Sequence, residues 1–220
     1  MRTLLCAAFF LFVFESGASE VWKNEYYSVY SHANYTQFKG MNQKIDIDNI
    51  DVGLINAAIF FETNKQRHKH RVPVLKYNAQ LEIVAQAHSA DMVKYNFFSH
   101  TSVVKDKQYL SDRLKREEFK FSVSGENLSM RFLLQLREEP YYPPSSGGSF
   151  RRLDGSEIEM HTYASFAAEV VNGWMNSPPH RKNILDTDYE LLGCGSELFF
   201  EGRGVDAVPG MKCTQCFATK

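Results

Sequence analysis

Few residues of this sequence combine a reactive side chain with an informative spacing. Cys213-Thr-Gln-Cys216 has the CxxC spacing of dithiol redox sites. That chemistry needs a helix start following a βαβ unit, whereas Met211 to Phe217 reads as a strand, so no redox role is expected. His68 and His70 stand two apart in a polar connection, Gln66 to Arg71. Their Lys and Arg neighbours repel a cation, which makes a solvated turn the better reading than a metal tract. His88 sits in an apolar helical stripe and reads as a satisfied core histidine. No His-Glu-x-x-His segment occurs, so a metal-assisted hydrolase of that type is not encoded locally. Asn34-Tyr-Thr36 and Asn127-Leu-Ser129 are acceptor triplets for glycosylation.

The elements that must carry these residues follow from periodicity. Leu54, Ile55, Ala58, Ile59 and Glu62 share one helical face, which predicts a helix from about Asp51 to Lys65. Pro73 holds the next segment extended. Asn78 then reads as an N-cap for a helix with Leu81, Val84, Ala85, His88 and Met92 in one stripe. A short helix is expected near Tyr109 to Lys115, and a strand over Phe119 to Val123 that ends at Gly125. Phe166, Ala167, Val170, Val171 and Trp174 define a further helix stopped by Pro178-Pro179, with one last helical turn from His180 to Ile184. Glu169 lies off that stripe and reads as solvated. The C-terminal part alternates as strands over Leu191–Phe199 and Met211–Phe217 around a turn at Glu201 to Gly204, and Gly193 and Gly195 suit a close backbone approach. The fold class expected is α+β, a three-layer α-β-α sandwich with a small antiparallel sheet.

Composition narrows the function. The chain has 220 residues, 44% hydrophobic and 14% aromatic, with a formal net charge of −1. It can bury a core, and it lacks the overall positive field of a nucleic-acid binder or of a protein drawn to anionic membranes. Arg2, the apolar run Leu4–Phe14 and the small residues after it read as a signal peptide, residues 1–19, with cleavage after Ser19. The run is too short to span a bilayer. The mature protein is therefore expected to be secreted and extracellular. Residues 20–50 read as an extended arm, and 51–220 as one domain with a flexible insertion at about 138–162, rich in Pro, Gly and Ser. Outside the cell, one disulfide is expected among Cys194, Cys213 and Cys216, from Cys194 to either of the other two.

Four segments carry a family resemblance: Asn96-Phe-Phe-Ser-His100, Gly125-Glu-Asn-Leu128, Val171-Asn-Gly-Trp-Met-Asn-Ser-Pro-Pro-His-Arg-Lys-Asn-Ile-Leu185, and Gly193-Cys-Gly195 with Thr214-Gln-Cys-Phe217. In this order they resemble the CAP superfamily of cysteine-rich secretory, antigen-five and pathogenesis-related proteins, and most closely its small bacterial SCP-domain members. The resemblance implies a cleft into which His100, Glu126 and His180 converge. The position of a second acid in many relatives is held here by Ser177, which leaves three ionisable groups. Two imidazoles and one carboxylate would suit Zn²⁺ with an open position for water, and hence metal-assisted hydrolysis. They would equally suit a hydrogen-bonded network that holds loops together. Asn183 is expected to bond backbone, and Asn172 and Arg181 to line the cleft rim. The function expected is a non-catalytic binding module for a lipid, a sterol, a metal ion or an extracellular protein partner. The alternative is a zinc-dependent hydrolase or peptidase using His100, Glu126 and His180.

Overall fold

The computed structural model describes residues 20–136, 141–142, 149–204 and 207–220. The expected signal peptide and residues 137–140 and 143–148 of the expected insertion lie outside them. Five helices are described, α1 (Val52–Lys69), α2 (Ala79–Lys94), α3 (Leu110–Arg116), α4 (Tyr163–Met175) and α5 (Pro178–Leu185). The strands are β1 (Lys76–Tyr77), β2 (Val123–Phe132), β3 (Tyr141–Tyr142), β4 (Arg151–Arg152), β5 (Leu191–Glu201) and β6 (Val208–Thr219). The main sheet has the order β1-β5-β6-β2 and is antiparallel except at β1, whose two residues pair in parallel with β5. Helices cover both faces, so the α+β sandwich expected from the sequence is the architecture found.

Strand alternation sorts the core. Leu192, Cys194, Cys213 and Phe217 pack into a cluster with residues of α1 and α4, while Cys216 and Ala218 join Leu81, Val84, Ala85 and Leu114 on the other face. This sorting overturns the expected disulfide. All three cysteines are free and buried. Cys216 is on the wrong face for Cys194. Cys194 lies opposite Gln215 and Cys213 opposite Ser196, so those two are diagonal neighbours, and diagonal side chains stand roughly 7–8 Å apart, beyond disulfide reach.

Side-chain caps set the helix starts. Asp51 accepts the Leu54 N–H and Asn78 the Leu81 N–H, both as N-caps. Thr162 and Ser165 close a capping box on α4. Glycine is required where α2 crosses β5: a Cβ on Gly193 or Gly195 would fall 2.1 Å from the backbone nitrogens of Glu82 and Gln86.

Four local expectations are corrected. Helix α1 runs on to Lys69, because Arg67 is an anchor and not a solvated turn residue: it is fully buried and donates to Pro73 O, Ile184 O and Asp186 O. The arm at 20–50 is not extended. It winds into three 3-10 turns and packs Trp22 edge-on against Phe38 and Phe61, with ring centroids 5.2 and 5.9 Å apart. Strand β2 begins where a strand was expected to end, so Gly125-Glu-Asn-Leu128 lies inside it. The described part of the expected insertion pairs β3 with β4, and Ile158 packs with Leu134 and Val208. Among the described residues no helix is long and apolar enough to cross a membrane.

Candidate functional site

Glu126 and Asn127 are neighbours on β2, and strand alternation turns them to opposite faces. Glu126 faces α2 and α3 and is 8% exposed. Its Oε2 accepts from Arg113 Nη2 of α3 at 2.5 Å, and its Oε1 accepts from His100 Nδ1 at 2.8 Å. Arg113 is itself 3% exposed, and its Nη1 donates to the carbonyls of His100, Lys107 and Gln108. One guanidinium therefore neutralises Glu126 and fastens the loop that delivers His100.

His88 of α2 lies behind this pair. It is fully buried, with Nε2 4.0 Å from Glu126 Oε1 and donating to Ser99 O at 3.1 Å. Among the described residues its Nδ1 has no partner, so the expected satisfied core histidine is only half satisfied there. Burial pushes its pKa down to about 4, a shift that the Glu126 charge opposes and the Arg113 charge reinforces. His88 is thus neutral near pH 7.

His100 is the open end of the chain of contacts, its side chain 57% exposed. His180, half-buried on α5, has its pKa lowered first by burial and then by His100, so the two imidazoles lie within each other's electrostatic reach. Asn183 ties α5 to β2 by donating to Glu126 O and to Asn127 Oδ1, in keeping with its expected backbone role. Asn127 donates in turn to His180 O and Gln215 Oε1. It is fully buried, which rules out a glycan there in the folded protein. Ser177 is the N-cap residue of α5 and makes no side-chain capping bond.

The structure joins His100 to Glu126 and adds Arg113 and His88, which sequence reasoning missed, while His180 stands on α5 within electrostatic reach of His100. Nothing local distinguishes Arg113 from Arg116. The only signal is the demand of a buried carboxylate for a counter-charge. Of the two rim candidates, Arg181 leans instead on His70, 3.5 Å away, and Asn172 is exposed on α4. Glu169 is not simply solvated: its Oε2 lies 3.0 Å from His161 Nε2, and this contact holds its pKa below the usual carboxylate value.

The expected zinc set does not fit this arrangement. Both oxygens of Glu126 are engaged, and Arg113 places a permanent positive charge where a cation would need a bare carboxylate. Among the described residues no group of three His, Cys, Asp or Glu side chains is arranged to hold a metal ion. What the site offers is an imidazole whose Nδ1–H is committed to Glu126. In the neutral ring that bond makes Nε2 the acceptor, on a side chain that is 57% exposed.

Among the described residues, two hollows lie away from these side chains. One of about 530 Å³ is walled by Ile47, Leu134, Phe150, Ile158, Met160 and Pro209. Another of about 460 Å³ lies between the N-terminal turns and α1, lined by Tyr27, Tyr30, Phe60 and Phe61 among others.

The family model for CAP, the cysteine-rich secretory protein family, matches residues 60–205. A 135-residue stretch is 32% identical to the Bacillus subtilis (strain 168) protein called "Uncharacterized membrane protein YlbC", covering 60% of this chain and 29% of that one. A second protein of the same strain, "Uncharacterized protein YkwD", is 27% identical over 133 residues, covering 60% of this chain and 38% of that one. Among solved structures, an extracellular protein containing a SCP domain from Bacillus anthracis str. Ames superposes with a TM-score of 0.53 at 27% identity, over 81% of this chain and 45% of that one. The chain thus spans less than half the length of each of these relatives.

Proposed function

Since this chain belongs to the CAP family, the cysteine-rich secretory proteins, we propose that it is a non-catalytic binding module that works outside the cell. The observation that carries the reading is the double engagement of Glu126. A carboxylate bonded to Arg113 at 2.5 Å and His100 at 2.8 Å is neither a free base nor a metal ligand, so its role is to orient His100. His100 and His180 are then the groups that a ligand meets, with Ser177 at the start of the helix that carries His180. The extracellular assignment draws on the SCP-domain relative.

Apart from these histidines, a separate hollow of the molecule suits a lipid or sterol. The 530 Å³ hollow falls in the usual size range of small-molecule sites, and its walls are mostly apolar. Titration of a fluorescent sterol and a fluorescent fatty acid into the full chain tests this. Saturable binding of one of them, weakened by Phe150→Ala, is expected. Absence of binding for both rejects the lipid reading.

One observation favours a hydrolase as the second reading: an exposed imidazole held at Nδ1 by a buried carboxylate is the arrangement in which a general base is oriented. Ester and peptide turnover that disappears in His100→Ala would establish it. Wild-type turnover no higher than that of His100→Ala is expected.

A further inference from the structure

We propose that the end of α1 and the outer side of α5 form a docking surface for a polysaccharide bearing repeated sulfate or phosphate groups. Arg67 brings the two elements together by donating from one guanidinium to Ile184 O and Asp186 O at the end of α5. Lys69 and Arg71 flank His70 at the end of α1, His70 meets Arg181 of α5, and Lys182 follows Arg181; all four cationic side chains are exposed. Among the described residues none of the four takes part in an ion pair. Arg181 is steadied by a histidine in place of an acid. His70 donates its Nδ1–H to Gln66 O at 2.9 Å and so presents Nε2 to Arg181 Nη2.

The acids nearby are turned to other partners. Glu62 is held by Tyr35 and Lys65, and Asp186 faces Arg67 and accepts the Asp188 N–H. Helix dipoles account for Lys69 and Lys182, each in the last turn of its helix. They leave Arg71 and Arg181 unexplained. The whole chain has a net charge of −1, so this field is local and selects a ligand that can follow a short row of cations. A membrane is the weaker match. Neither the end of α1 nor α5 carries an exposed large apolar side chain that could insert.

The test uses the full chain with heparin as the probe polysaccharide, in NaCl from about 50 to about 500 mM. Binding is expected at low salt and lost at high salt. Arg71→Glu/Arg181→Glu should weaken it at least about tenfold, whereas Lys115→Glu/Arg116→Glu on α3 should change it less than about twofold. Circular dichroism checks that both variants fold. Equal weakening by the two variants, or no binding at low salt, overturns the proposal. So does tighter binding to anionic vesicles or to duplex DNA than to heparin. The surface is independent of the lipid reading above, and each can fail without the other.

Discussion

Glu126 and Asn127 differ by one position on β2 and lead to two networks of different kind. Asn127 belongs to a closed one: its partners are His180 O, Gln215 and Asn183, and Gln215 continues to Thr63 of α1 at 2.6 Å. No member of that chain needs solvent or ligand. Glu126 belongs to an open one, compensated on the inside by Arg113 and ending on the outside at His100, 57% exposed. A buried polar network becomes a site only where one end reaches water with an unspent acceptor; where every partner is internal, it holds elements in place.

The largest effect that would sharpen this contrast comes from removing the inner anchor. Arg113→Ala leaves a carboxylate that is 4% exposed without its counter-charge, and a loss of about 3–5 kcal/mol in urea unfolding is expected. Adding Glu126→Gln should restore part of it. A similar size of effect is expected from acid. The folded pKa of His88, about 4, lies below its ordinary value of 6.5, so between those values the unfolded chain binds a proton that the folded chain excludes. Stability should be full above about pH 6.5 and fall by about 3 kcal/mol on the way to pH 4 from this group, a slope that His88→Gln flattens.

The closed network gives a smaller effect. Asn127→Ala orphans Gln215 and the His180 carbonyl, which is expected to cost about 1–3 kcal/mol while leaving the His100–Glu126 contact and the His100 tautomer unchanged. Last comes His100→Ala. At this exposure, stability should change by about 1 kcal/mol or less, yet the His180 pKa should rise toward its ordinary value because the like charge of His100 is gone. NMR titration of the His180 ring reads that shift, and a fixed His180 pKa would break the link between the two imidazoles.

Much of this was legible beforehand. The apolar stripe and the Asn78 cap located α2, and Gly193 and Gly195 signalled a close backbone approach, though not that α2 makes it, because both signals are local. The motif resemblance pointed to His100 and Glu126, which the structure joins by a hydrogen bond. What stayed hidden depends on partners distant in the chain. Arg67 reads as one cation in a basic turn until Ile184 and Asp186 stand beside it. Cys194 and Cys213 read as a bridgeable pair until the register sets them diagonal. Arg113 reads as surface charge until Glu126 is buried against it.

The protonation state of His100 tests the central claim most directly. Nitrogen-15 imidazole spectra of the wild type above pH 7.5 should show His100 protonated at Nδ1, with the proton held against Glu126, and bare at Nε2; Glu126→Gln should abolish that preference. A His100 ring protonated at Nε2, or one unaffected by Glu126→Gln, would contradict the account.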